Sequence, residues 1–126
     1  MLTKRAGREG KVLVTFSMPA AIWADTIYVV GDFNGWDKWA TQLRQTDGGW
    51  LATLELEPGQ RYAYRYLVDG NQWHNDWHAD GYAPNSSGGD NSIVMTPQFA
   101  EALQNQSKII DMRRALALRD TARISG

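Results

Sequence analysis

Apolar and polar residues alternate through most of the first 96 positions. Val12, Val14, Phe16 and Met18 share one phase, Leu13, Thr15 and Ser17 the other, and Pro19 stops the run. A period of two marks a strand with one face buried. Thr26–Val30 is rich in β-branched residues and predicts a second strand. Trp50, Ala52, Leu54 and Leu56 alternate in a third run. In Arg61–Val68, Tyr62, Tyr64, Tyr66 and Val68 alternate with Ala63, Arg65 and Leu67. Thr41–Thr46 reads as a brief edge strand, Asp37–Ala40 as one helical turn, and Ser92–Thr96 as the closing strand. Between the runs lie turn signals: Gly31-Asp32, Asp47-Gly48-Gly49, Glu57-Pro58-Gly59 and Asp69-Gly70-Asn71. Residues 71–90 carry no period and read as irregular. Short strands joined by turns, without alternating helices, predict an all-β antiparallel sandwich.

The pattern changes once. Thr96 and Pro97 suit a helix cap and first position. Beyond them Ala102, Leu103, Ile109, Ile110, Met112 and Leu116 recur at helical spacing. The basic residues Arg113, Arg114, Arg119 and Arg123 suit the helix's negative end. The expected organisation is therefore a flexible N-terminal segment (1–10), a sandwich (11–96), and a C-terminal amphipathic helix with its tail (97–126). An apolar stripe over 97–120 needs a cover, either the sandwich itself or another chain.

Composition narrows the function classes. A chain of 126 residues holds one domain with a core. It has no Cys, so disulfides, zinc–thiolate sites and Cys nucleophiles are excluded. No apolar run reaches the ~18 residues of a membrane span. Lys4, Arg5 and Arg8 precede no apolar stretch of the signal-peptide kind, and a cytoplasmic protein is the expectation. The net charge is -1. Between residues 12 and 96 the acids outnumber the bases, whose only members there are Lys38, Arg44, Arg61 and Arg65. That argues against a nucleic-acid surface.

His74-Asn75-Asp76-Trp77-His78 is the one run with metal-like letters, and it lies in a Gly-, Asn- and Ser-rich loop. An ordinary polar loop explains it better than a metal site does. No nucleophile elbow, HExxH or P-loop is present, and no cofactor is implied. Asp32, Asp47, Asp69 and Asp90 each neighbour Gly or Asn in turns, where a local Asx hydrogen bond accounts for them. The chain is expected not to be an enzyme. The unusual number is six Trp. Trp36, Trp39, Trp73 and Trp77 fall around turns, whereas Trp50 sits in an alternating strand and Trp23 is read with it as structural. Indole faces can stack on the C–H face of a sugar ring while nearby amides and cations bond its hydroxyls. They can equally anchor loops to a core.

The ordered string Val12-x-Val14-x-Phe16, Val29-Val30-Gly31-Asp32-Phe33-Asn34-Gly35-Trp36, Asp47-Gly48-Gly49-Trp50, Pro58-Gly59, Tyr64-Arg65-Tyr66-x-Val68-Asp69-Gly70, Trp73 and Asn91-Ser92-Ile93-Val94 resembles a known module. It is similar to the glycogen-binding and isoamylase N-terminal-like domains, carbohydrate-binding module family 48. The resemblance spans roughly residues 11–96. It implies an early-set, immunoglobulin-like β-sandwich that binds α-1,4-linked glucan without catalysis. By the same resemblance Trp36 and Trp73 match the two stacking indoles. Arg65 matches a basic residue that bonds sugar hydroxyls, and Asn91 the Asn opening the last strand. Similar domains occur in the β subunit of AMP-activated kinase, and those members carry Lys where Arg65 stands, which keeps the charge and changes the fork geometry.

One departure stands out. Those members carry a Leu before the last Asn, and here the loop reads Asn85-Ser86-Ser87-Gly88-Gly89-Asp90. Loss of that contact removes about 1–3 kcal/mol of apolar burial, and Tyr82 is a candidate to compensate. Trp39, Trp77 and Asn34 complete the accessory candidates. The partner expected from the resemblance is an α-glucan. The helix 97–120 offers a route to a homo-oligomer or to a glucan-processing enzyme. The competing reading is a structural or protein-interaction module, helix-mediated, that has kept the fold and lost the sugar.

Overall fold

The computed structural model describes residues 1–98. Within these residues nine strands form two antiparallel sheets packed face to face. The first sheet orders β1 (Leu2–Ala6), β2 (Val12–Met18), β5 (Gly49–Leu56) and β4 (Arg44–Thr46) as β1-β2-β5-β4. The second orders β3 (Ile27–Gly31), β6 (Arg61–Val68), β9 (Asp90–Met95) and β8 (Gly81–Pro84) as β3-β6-β9-β8, with β7 (Gln72–His74) also paired to β6. This two-sheet sandwich is consistent with an immunoglobulin-like fold.

The alternating phases become the two inner faces. Val12, Val14, Phe16 and Met18 meet Ile27, Val29, Tyr64, Tyr66, Val68 and Val94 in one buried cluster closed by Leu43, Trp50 and Leu56. The period-two pattern thus gave the correct inward side for β2, β5 and β6. Trp50 is buried as expected, its indole N–H on the Ile22 carbonyl at 3.3 Å. Trp23 is not structural: it is 95% exposed.

Two segments differ from the sequence expectation. Residues 1–10 are not a loose lead-in. Leu2–Ala6 pairs along β2 from Leu2↔Phe16 to Ala6↔Val12, and a short 3-10 turn at Arg8–Gly10 makes the connection. Leu2 and Ala6 around Thr3, Lys4 and Arg5 give little periodic signal, so backbone pairing decides this edge strand rather than burial. The irregular stretch 71–90 supplies both β7 and β8, each too short for a period to show. The expected turn at Asp37–Ala40 is present, the Ala40 N–H on the Asp37 carbonyl at 3.4 Å, and a separate 3-10 turn at Asp32–Asn34 precedes it. The helix expected over 97–120 lies outside the described residues, Pro97 and Gln98 apart. Among the described residues no helix is long and apolar enough to cross a membrane.

The second sheet is buried on its inner face and in part on its outer one. Val30, Leu67 and Ile93 are buried although their phase points them outward. The loop following β3, the β6–β7 hairpin and the loop following β8 lie around that outer face. They give it walls, and a groove forms among them.

Candidate functional site

The groove begins at the end of β3. Gly31 leaves the strand so close to β6 that a Cβ there would sit 2.5 Å from the Ala63 carbonyl oxygen, so only Gly fits. The chain then makes its 3-10 turn and passes through two left-handed residues, Gly35 (φ 66) and Trp36 (φ 59). A left-handed Trp is uncommon and disfavoured. Each side chain of the turn has its own task. Phe33 packs inward on Phe16, ring centroids 5.1 Å apart. Asn34 accepts from the Gly31 N–H at 3.0 Å and donates to the Val29 carbonyl and Thr41 hydroxyl. Asp32 accepts from the Trp36 indole N–H at 2.8 Å with one oxygen and from the Ala63 N–H at 2.7 Å with the other. That second bond continues the β3–β6 ladder one step past its last pair. It also ties the indole to the sheet.

The floor comes from β6 and β9. Tyr64 pairs with Ser92, and both face inward. One step on, Arg65 and Asn91 stand side by side on the outer face. Trp73 enters from β7, opposite Leu67, after a hairpin whose Asp69 (φ 53) and Gly70 (φ 76) are both left-handed. The Arg65 guanidinium lies 5.8 Å from the Trp73 ring centroid, within reach of a cation–π contact. The far wall is the loop after β8. There Asn85 Oδ1 accepts from the N–H groups of Ser87 at 2.9 Å and Gly89 at 3.1 Å, while Asn85 Nδ2 donates to Asn91 Oδ1 at 3.2 Å. With Oδ1 engaged, the Asn91 amino group remains as the donor for a ligand.

The result is an open groove of about 590 Å³, lined by Trp36, Arg65, Trp73 and Asn91 and completed by Asp32, Ala63 and the Asn85–Ser87 stretch. The structure thus brings the four principal candidates together. Among the described residues, Arg65 Nε is the one buried side-chain nitrogen or oxygen without a hydrogen-bond partner. A buried donor left unpaired costs about 1–3 kcal/mol.

Residues 21–99 match the family described as the glycogen recognition site of AMP-activated protein kinase. The chain belongs to this family. It is a glycogen- and starch-binding module of the family-48 type, and the matched domain is a binding unit rather than a catalytic one. Over 68 residues it is also 37% identical to the 1,4-alpha-glucan branching enzyme GlgB of Butyrivibrio fibrisolvens. That stretch is 50% of this chain and 10% of the enzyme, so the chain spans about a tenth of that relative's length.

The module places the accessory candidates differently. Asn34 is spent on closing its own turn and does not line the groove. Tyr82 pairs with Ser92, and its hydroxyl donates to the Asp76 carbonyl, so it does not replace the absent Leu. Ser86 and Ser87 make that wall polar instead. Trp77 is 73% exposed and belongs to a second cavity of about 440 Å³, with Met18, Pro19, Ile22 and His74. Trp39 stands on the outer face beside the groove.

Asp76, at the base of that second cavity, is buried. Both its oxygens accept from the Met1 α-ammonium at 2.6 Å. It also accepts from the hydroxyls of Tyr64 at 2.8 Å and Tyr66 at 3.1 Å, and from the His78 N–H at 2.9 Å. Burial pushes its pKa up, but the ammonium, the His78 N–H and the Tyr64 hydroxyl outweigh burial and hold it below the ordinary carboxylate value. Burial, with the Asp76 charge, pushes both tyrosines well above their usual range. They stay neutral donors. Among the described residues no three His, Cys, Asp or Glu side chains gather to hold a metal ion.

Asp32 and Asn85 are residues of the groove whose role the sequence does not mark. Asp32 looked like a turn residue because its partner Ala63 is distant in the chain. Its spacing of four from Trp36 was the available signal.

Proposed function

We propose that this groove is where the module holds α-1,4-linked glucan. Trp36 and Trp73 stack on the C–H faces of glucose rings. Arg65 donates to ring hydroxyls, and Asn91 offers its amino group beside it. The observation that carries this reading is the convergence of Trp36, Arg65, Trp73 and Asn91 on one groove, with the Arg65 guanidinium beside the Trp73 ring and its Nε without a protein acceptor. Asp32, whose oxygens are already committed to Trp36 and Ala63, leaves Arg65 as the charge with bonding capacity to spare.

The match to a branching enzyme supports a second element: the module delivers glucan to a glucan-processing enzyme. The segment 97–120 is the part of the chain with the apolar pattern for such docking, or for self-association.

The test is a titration of tryptophan fluorescence with maltoheptaose and with β-cyclodextrin, on wild type and on Trp36→Ala. Wild type should show a saturable change, and Trp36→Ala at least about tenfold weaker binding, or ~1.4 kcal/mol. An unchanged emission at millimolar ligand, with no binding by calorimetry, would reject the assignment.

A further inference from the structure

The outer face does not end at Trp73. Its lateral neighbour on β6 is Leu67, and the next, on β3, is Tyr28. Leu67 is only 1% exposed although its phase points it outward, so this strip is roofed. Trp39 stands on the Tyr28 side, its ring edge-on to Tyr28 at 5.4 Å between centroids and 88° between planes. Its benzo edge reaches the β6–β7 hairpin: a Cβ on Gly70 would meet Trp39 Cη2 at 3.3 Å. Asp37 Oδ1 holds the Trp39 backbone N–H at 2.9 Å. Trp39 is thus braced by a ring, a hairpin and a carboxylate, and it is still 61% exposed. Covering Leu67 does not require that much free indole. Lys38 reaches from the same loop to lie 5.9 Å from the Trp73 ring centroid, on the ring that also carries Arg65.

Adjacent strands lie about 4.8 Å apart. Tyr28 and Trp73, two strand spacings from one another, are therefore roughly 10 Å apart at the backbone. That is the scale of a few sugar rings, not of one. The strip is narrow, runs on from the groove through Trp73, and combines a braced indole with a flexible ammonium. Those features suit a continuing sugar chain better than a flat protein surface.

We infer that Trp39 and Lys38 form an outer subsite that engages an α-glucan chain where it leaves the groove past Trp73. This inference rests on the groove reading above. The Trp39 face carries a further glucose ring, and the Lys38 ammonium donates to hydroxyls between that ring and the one on Trp73. Its consequence is a dependence on chain length. A short oligosaccharide fills the groove alone, and a longer one also covers Trp39.

Calorimetric titrations with maltotetraose and maltoheptaose test it on wild type, Trp39→Ala and Lys38→Gln. Wild type should bind the heptasaccharide at least about fivefold more tightly than the tetrasaccharide. Trp39→Ala should bring that ratio close to one, and Lys38→Gln should lower it by about twofold. Equal weakening of both ligands by Trp39→Ala, or an unchanged ratio, overturns the outer subsite and leaves the groove assignment standing. No binding of either ligand by wild type overturns the groove assignment as well. In the event that Trp39→Ala does not fold, the indole N–H resonance of Trp39 in wild type decides. It should shift with maltoheptaose and stay in place with maltotetraose, and any other pattern rejects the subsite.

Discussion

Asp32 shows how much of a binding site lies in residues that need not touch the ligand. Its two oxygens hold the Trp36 indole and the Ala63 backbone N–H, and so keep Trp36 in a left-handed conformation that costs about 1–2 kcal/mol. Asp32→Ala frees the indole and leaves an edge N–H unpaired. Glucan affinity should drop about tenfold by calorimetry, and the double variant Asp32→Ala/Trp36→Ala should bind no worse than Trp36→Ala alone. Additive losses would instead mean that Asp32 contacts sugar directly. The residue scale is also where the sequence was most and least readable. Trp36, Arg65, Trp73 and Asn91 stood out because each belongs to a motif with a resemblance behind it. Asp32 and Asn85 did not, because their work is to hold Trp36, Ala63 and Asn91 in place, and no local pattern announces that. Trp23 misled in the opposite sense, since an indole next to a strand carries no mark of which way it faces.

At the scale of elements, the strands of the inner faces were legible from period two, and the outer face of the second sheet was not. Val30, Leu67 and Ile93 sit where alternation predicts solvent, yet each is buried. The loops after β3 and β8 line the groove on that same face, and loops have no period. The two short strands after residue 71 escaped notice for the same reason: three or four residues cannot display an alternation. The hidden outer layer has an energetic signature. Leu67→Ala should destabilise the fold by about 2–5 kcal/mol in urea denaturation, the range for a core Leu. A surface Leu on a half-solvated strand would cost well under 1 kcal/mol. A small loss would show that the loops over β6 do not pack as a layer, and that the groove lacks a firm wall.

Across the whole molecule, one carboxylate joins what the two sheets would otherwise do separately. Asp76 takes the Met1 ammonium from the edge of the first sheet and the Tyr64 and Tyr66 hydroxyls from the second, while Tyr66 also reaches the Ser17 carbonyl of β2 at 3.4 Å. In the sequence it sat among metal-like letters in an aperiodic loop, and nothing local distinguished it from its neighbours. Only the assembled sandwich makes it a junction. Its pKa is held below the ordinary carboxylate value, so the folded state binds this proton less readily than the unfolded chain does. The stability it contributes is therefore complete above the unfolded-state pKa, and it is lost as pH falls through the lower folded-state value. Asp76→Asn keeps the shape and removes the charge, leaving the ammonium and one or more tyrosine hydroxyls poorly matched. It should cost about 3 kcal/mol at neutral pH, the lower end of the range for breaking a buried ion pair, because the ammonium side is open to water. Urea denaturation of both proteins across the acid range separates the charge from the shape. The gap between wild type and variant should narrow as Asp76 protonates, whereas a gap constant with pH would mean that packing around residue 76, and not its charge, holds the two sheets together.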